Sequence, residues 1–535
     1  MMNTFSSQLK WHNICRLEHI QPNTGVCALV DDVQIALFRV SDEARIYALS
    51  NHDPFSGANV MSRGILGDIQ GERVIASPIY KQHFSLSTGR CLEDAAQHLH
   101  VYPCQIIEGE VWVAAQAQKT YLTQVATQQQ KHQLVLVGNG LAGMRCLEDL
   151  LEIAPDRYDI TVIGEEPWGN YNRILLSPVL SGEKTIEQIM LHPPEWYREK
   201  NIRFIGGDLA VKIDRRHKQV HTQSGVVVDY DRLILATGSR PFIPPIKGKD
   251  LHGVLSFRDI YDVNQMIQFS QNKKNAVVIG GGLLGLEAAY GLKQRGMAVT
   301  VLHLPDRIME RQLDAYASEM LRKSIQKKGI HIKTEAVTEE ILGQDGKVVG
   351  VRLADGTQLE ADLVVFAVGI RANMTLAQNA GLRCDRGVLV NATMQTFDPS
   401  IYAVGECIEY QGATFGLVEP LWGQAFICAT HLAERGSLSF KALPTATQLK
   451  VSGVDVFSAG NIAPQTHYDD IIVHDEKRQV YKRLILRDDK MIGAVLFGDT
   501  EDGAWYAELI SDQVSIVAIR NKLLYGRDFA LKHAS

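Results

Sequence analysis

Leu134-Val135-Leu136-Val137-Gly138-Asn139-Gly140-Leu141-Ala142-Gly143 runs an apolar strand into a glycine-rich turn and on into a helix. A second stretch, Ala276-Val277-Val278-Ile279-Gly280-Gly281-Gly282-Leu283-Leu284-Gly285, repeats the pattern 142 residues later. In each, the first glycine permits the tight turn, the second lets backbone N–H groups approach a pyrophosphate, and the third lets helix pack on strand. One such turn is a weak signal. Two, each between a strand and a helix, imply two dinucleotides on one chain, a flavin fed by a nicotinamide.

Composition fits a large enzyme. A length of 535 residues suggests about three to four domains, and 45% hydrophobic residues supply several cores. A net charge of −6 gives no reason to expect nucleic acid or an anionic membrane as partner. No apolar run reaches the ~18 residues of a membrane-spanning helix. Met1 to Leu9 has no charged segment leading into an apolar core, so no secretory signal is read and a cytoplasmic protein is expected. Cys15, Cys27, Cys91, Cys104, Cys146, Cys384, Cys407 and Cys428 are scattered without a C-x-x-C pair. They read as mostly buried free thiols, with no disulfide framework.

Residues 1–114 read as an all-β module. Val26 to Val30, Val33 to Val40, Ile46 to Leu49, Val74 to Ala76 and Val111 to Ala114 are β-rich, separated by turn residues. Residues 115–132 are crowded with glutamine and read as a linker. From Gln133 strands and helices alternate, as a parallel α/β sheet requires. Residues 133–260 are expected to begin the flavin domain, 261–372 to form an inserted nicotinamide domain, and 373–435 to complete the flavin domain. Residues 436–535 read as a small α+β domain: strands Val480 to Leu486 and Met491 to Phe497 about a turn at Asp488-Asp489, then helices near Ala504 to Ile510 and Val514 to Tyr525.

The flavin half has further punctuation. Leu233-Ile234-Leu235-Ala236-Thr237-Gly238 is an apolar strand ending in small residues that let the backbone return close to a cofactor. Ile401-Tyr402-Ala403-Val404-Gly405-Glu406 is another, ending in glycine and an acid suited to ribityl hydroxyls. Candidate FAD residues are therefore Gly138, Gly140, Leu141, Ala142, Gly143, Ala236, Thr237, Gly238, Gly405 and Glu406. Gly164 stands where a ribose-binding acid is usual, and Glu165 follows it, with Glu166 next. Glu165 is the candidate for the FAD ribose. Candidate NAD residues are Gly280, Gly282, Leu283, Leu284, Gly285 and Gly369. At the end of Val299-Thr300-Val301-Leu302-His303 an acid would favour NADH and arginines NADPH. His303, with Arg307 four residues on, is ambiguous, and a structural role is equally open.

Residues 133 to about 530 resemble the FAD- and NADH-binding front part of assimilatory nitrite reductase large subunits, within the wider class of two-dinucleotide flavin reductases. The resemblance rests on Tyr171-Asn172-Arg173-Ile174-Leu175-Leu176-Ser177-Pro178, Met309-Glu310-Arg311-Gln312-Leu313-Asp314 and Leu417-Val418-Glu419-Pro420-Leu421-Trp422. Residues 11–114 resemble the small subunit of the same enzyme, a Rieske-like domain. The resemblance implies NADH as the donor. It also implies that Glu287 lies near the nicotinamide, with an acid complementing the helix dipole as the alternative, and that Arg173 contacts the flavin or its pyrophosphate. Pro178 replaces the lysine common in the serine–lysine pair of that class.

Three departures shape the function. A Rieske cluster takes two cysteines and two histidines, whereas the corresponding segments here are Asn51-His52-Asp53 and Ser77-Pro78-Ile79-Tyr80. Without thiolates, His52 and His83 read as ordinary polar residues, no metal is expected, and the module is expected to serve docking. No cysteine follows Cys428, so the siroheme and iron–sulfur ligands of a nitrite reductase are not expected in this chain. No C-x4-C pair lies near Arg173, so electrons should pass directly to an external acceptor. The expected function is an NADH-dependent FAD oxidoreductase passing electrons to a metalloprotein, first an assimilatory nitrate reductase catalytic subunit. A separate siroheme nitrite reductase and a ferredoxin- or rubredoxin-like carrier are the alternatives. From another class, the chain could be an assembly subunit that binds FAD structurally; the intact second turn argues against that.

Overall fold

The computed structural model describes residues 9–40, 45–69, 72–94, 96–116, 131–435, 438–442, 446–451, 453–463 and 468–532. The glutamine-rich stretch at 115–132 falls almost wholly outside the described residues. The chain forms two compact units that divide between Gln130 and Lys131.

The first unit is built of three-stranded antiparallel sheets. Strands Thr24–Val30, Val33–Arg39 and Ile46–Ser50 form one of them. Asp31 and Asp32 both take positive φ in the hairpin between the first two, where a mirror-image two-residue turn matches the strand twist. Alternation along the middle strand splits the core in two. Ile35 and Leu37 pack with Ile20, Tyr102, Val111 and Val113, whereas Ala36 and Phe38 pack with Met61, Ile75 and Phe84. The remaining strands are Trp11–Arg16 with Cys104–Ile107 and Glu110–Ala114, and Ile65–Ile69 with Glu72–Ala76 and His83–Ser85.

The second unit carries two parallel five-stranded sheets. In the first, β1 (His132–Val137) is flanked by Tyr158–Gly164 and Arg232–Leu235, with Arg203–Gly206 and Ile401–Ala403 at the edges. In the second, β2 (Asn275–Ile279) lies between Leu363–Phe366 and Ala298–Leu302, with Val254–Ser256 and Ile330–Lys333 outermost. Helix α1 (Leu141–Ile153) follows β1, and α2 (Leu283–Gln294) follows β2. Because the last strand of the first sheet, Ile401–Ala403, comes after every strand of the second, the second sheet is inserted into the first. Helix α3 (Val418–Leu432) packs on α1, burying Cys146 and Cys428 completely.

The third sheet is antiparallel, in the order Ala446–Val451, Val454–Gly460, Lys490–Phe497, Val480–Arg487, Asp469–Asp475. Trp505, Tyr506, Leu509 and Ile510 of helix Gly503–Asp512 cover one face of it. Asp488 and Asp489 form the expected turn with positive φ. The helix read over Val514 to Tyr525 is not formed and is corrected to a 3-10 turn at Arg520–Tyr525. Gln513 ends the preceding helix in the left-handed region. Beyond it, the Ile516 N–H donates to the Asp489 carbonyl at 2.8 Å, and the β-branched residues around it oppose helix. No described helix is long and apolar enough to cross a membrane.

Candidate functional site

Both glycine turns use each glycine in the same way. Gly138 and Gly280 have φ of +107° and +124°, and a Cβ there would lie 2.1 Å from the Ala236 carbonyl oxygen and 2.2 Å from that of Ala367. Only glycine fits that backbone and that contact. At Gly143 a Cβ would meet the Ala236 Cβ at 2.7 Å, and at Gly285 the Gly280 carbonyl oxygen at 1.9 Å. These are the close helix–strand contacts. At Gly140 and Gly282, by contrast, a Cβ would meet nothing within 4 Å. The central glycine of each turn faces open space of the kind a pyrophosphate needs.

The strand ends of the first sheet open onto a cavity of about 770 Å³. Its walls include Gly138, Gly140, Leu141, Ala142, Glu165, Arg173, Ala236, Thr237, Gly238, Gly405 and Glu406. All the expected FAD residues are thus gathered there except Gly143, which packs behind the turn. Leu283, Leu284 and Glu287 of α2, the helix that the second turn opens, reach the same cavity. Gly280, Gly282, Gly285, His303 and Gly369 stand apart from it along the second sheet. Gly369, at φ +112°, has open space around its Cβ position.

Two acids of this cavity are paired with arginines. Glu166 accepts from Tyr171 at 2.7 Å and Trp168 at 3.2 Å and pairs with Arg173, whose guanidinium also lies over the Tyr171 ring. Glu165, next to the strand end, is exposed and lines the cavity, which leaves its carboxylate open to a ligand hydroxyl. Glu406 accepts from Ser239 at 2.7 Å and pairs with Arg258, both charged groups being largely buried. Arg258, which carries no glycine or strand-end signal, was missed in the sequence. So was Ser177: its hydroxyl donates to Glu287 at 2.5 Å. Burial pushes the Glu287 carboxyl up to about 6, opposed by that hydrogen bond. No cysteine lines the cavity.

His303 is 8% exposed and engaged at both nitrogens. The Gly281 N–H donates to Nδ1 at 2.9 Å, and Nε2 lies 3.0 Å from Glu310. The structural role left open for it is therefore filled.

In the first unit, Asn51 donates to Gln34 at 3.1 Å and accepts from the Ser62 N–H at 2.7 Å. Buried Ser77 donates to buried Asp53 at 2.7 Å, joining the two segments where Rieske ligands would stand. Asn51, Asp53, Ser77 and Tyr80, which stand where the ligands of a Rieske cluster would, supply neither thiolate nor imidazole. Among the described residues no group of three or more His, Cys, Asp or Glu could hold a metal.

Residues 132–425 match the family model described as pyridine nucleotide-disulphide oxidoreductase, residues 10–114 that of the Rieske-like [2Fe-2S] domain, and residues 445–514 that of the rubredoxin NAD+ reductase C-terminal domain. The residues at 51–53 and 77–80 do not fit an iron–sulfur cluster. A nitrite reductase [NAD(P)H] of Bacillus subtilis (strain 168) is 49% identical over 72% of this chain and 48% of its own length. An assimilatory nitrate reductase electron transfer subunit of the same organism is 42% identical over 70% of this chain and 48% of its own. The chain thus spans about half the length of these curated relatives. Among solved structures, the covalent putidaredoxin reductase–putidaredoxin complex is similar at 27% identity and a TM-score of 0.67, covering 75% of this chain and 98% of that one.

Proposed function

The chain belongs to the pyridine nucleotide-disulphide oxidoreductase family, and on that premise we propose that it is an NADH-dependent FAD oxidoreductase that passes electrons to a metalloprotein acceptor, an assimilatory nitrate reductase catalytic subunit. The observation that carries the reading is the reach of helix α2, which the second glycine turn opens, into the cavity of the first turn, with Leu283, Leu284 and Glu287 in its wall. A protein that held FAD only as scaffold would have no use for the second turn.

FAD, when held here, would supply hydride acceptance from the nicotinamide and one-electron donation to the acceptor. The chain's part is to bind and orient. Gly138 makes the tight turn and Gly143 packs helix on strand, so that Gly140, with Leu141 and Ala142 opening α1, presents a helix N-terminus to the FAD pyrophosphate. Glu165 takes the ribose hydroxyls. Glu406, held by Ser239 and Arg258, is positioned to accept from the ribityl chain. Ala236, Thr237, Gly238 and Gly405 keep the backbone close. Gly280, Gly282 and Gly285 hold the nicotinamide dinucleotide, Leu283 and Leu284 exclude water between the cofactors, and Glu287 holds a proton at its carboxyl below about pH 6. The clusterless N-terminal unit is the docking element for the acceptor, and the chain works in the cytoplasm.

The acceptor is supported by the likeness to a nitrate reductase electron transfer subunit; the likeness to a nitrite reductase makes a siroheme centre the second candidate. Reconstitution decides between them. The purified chain with NADH should drive nitrate reduction by a molybdenum catalytic subunit; nitrite reduction alone by a siroheme protein would reassign the acceptor.

A further inference from the structure

The segment Met309-Glu310-Arg311-Gln312-Leu313-Asp314 has so far no role, yet it is tied to the second glycine turn at two points. The Met309 N–H donates to the Gly281 carbonyl at 3.0 Å, with Met309 itself fully buried at φ +53°. From the other side, the Gly281 N–H donates to His303 Nδ1 at 2.9 Å. A backbone N–H can only donate, so Nδ1 is the acceptor and the imidazole proton sits on Nε2. That proton is donated to Glu310 Oε2 at 3.0 Å. Glycine, histidine and glutamate therefore form a closed relay. It fixes a carboxylate beside the end of strand Ala298–Leu302, where a dinucleotide fold receives the adenosine ribose.

We infer that Glu310, positioned by His303, is the residue that selects NADH over NADPH; the inference rests on the nicotinamide site proposed above. The acid that usually stands at the strand end is here supplied from seven positions further along the chain, through the imidazole. One oxygen of Glu310 is committed to His303. The other, Oε1, has the Arg311 Nε at 3.9 Å, beyond hydrogen-bond distance, and accepts a ribose hydroxyl. The same oxygen repels a 2′-phosphate. Of the cations nearby, Arg307 pairs with Asp306 and Lys333 with Asp355, while the exposed Arg311 has Glu310 itself as its neighbouring acid.

The test is equilibrium binding of NADH and NADPH to the FAD-loaded, full-length protein whose flavin has first been reduced with dithionite, so that no hydride is transferred, followed anaerobically by calorimetry. The wild type should bind NADH at least about tenfold tighter than NADPH, and Glu310→Gln should reduce that ratio several-fold, chiefly by tightening NADPH. Glu310→Asp, which keeps the charge, should retain the preference for NADH. Salt supplies a test that needs no variant: raising ionic strength should narrow the NADH-to-NADPH ratio of the wild type by screening the carboxylate. A wild type that prefers NADPH, a ratio unmoved by Glu310→Gln, or a ratio that widens with salt overturns the inference while leaving the nicotinamide site standing. Binding of neither dinucleotide would remove that site and the inference together.

Discussion

Ser177 Oγ donates a 2.5 Å hydrogen bond to Glu287 Oε2, joining the polypeptide of the first dinucleotide unit to helix α2 of the second across 110 positions. The serine replaces no charge, so Glu287 has a hydroxyl and no cation as its partner, and burial dominates its titration. A carboxyl pushed from 4.5 up to about 6 binds more protons folded than unfolded. Stability then falls as pH rises between those values, by about 2 kcal/mol in full, and is flat above. Asp262, also pushed up to about 6 by burial and by neighbouring Asp259, adds a slope of the same sign. Glu287→Gln should therefore flatten, without abolishing, the decline of the urea midpoint from pH 4.5 to 6.5. An unchanged slope would mean that Glu287 is not the buried acid described.

The glycines separate binding from folding. Gly140→Val and Gly282→Val enter open space, so both variants should fold with thermal midpoints near that of the wild-type apoprotein. The first should purify with little FAD; the second should stay yellow but lose reduction by NADH. Gly143→Val and Gly285→Val would drive a side chain into Ala236 and into the Gly280 carbonyl, and both should fail to accumulate as folded protein. Normal NADH reduction in Gly282→Val would show that the second turn is wrongly assigned.

Arg258 and Glu406 form an ion pair with both side chains less than one-fifth exposed. Removing one partner leaves a largely buried charge, so Arg258→Met should destabilise by about 3 kcal/mol and lower the FAD content on purification. Arg258→Met with Glu406→Gln should recover part of the lost stability but not the FAD. A denaturation midpoint unmoved by the single change would show that the pair is solvated.

The sequence made the dinucleotide architecture legible because glycine turns are local: the residues that bend the chain are the residues that approach the ligand. Hence the positions around Gly138, Ala236 and Gly405 could be read singly and were found together. Arg258, Ser177 and Glu310 could not be read so. Each acquires meaning through a partner far along the chain or across a turn, Glu406, Glu287 and His303 respectively. The missed helix at Val514 to Tyr525 has the same cause. Its local pattern was overridden by pairing of Ser515 and Ile516 with the Asp489–Lys490 turn.

The N-terminal unit should be separable in activity. A protein beginning at Lys131 should retain FAD and reduce ferricyanide with NADH at near the full rate, because all described cavity residues lie beyond that point. Reduction of the metalloprotein acceptor should fall at least about tenfold through lost contact surface. Equal loss of both activities would mean that the unit belongs to the reductase core, and no loss of either would deny it a docking role.

The most direct measurement is an anaerobic titration of the purified protein with NADH, followed in the visible spectrum. The account predicts one FAD per chain, bleached to completion by about one equivalent of NADH, and restored by a one-electron acceptor. A flavin that NADH leaves yellow would contradict it.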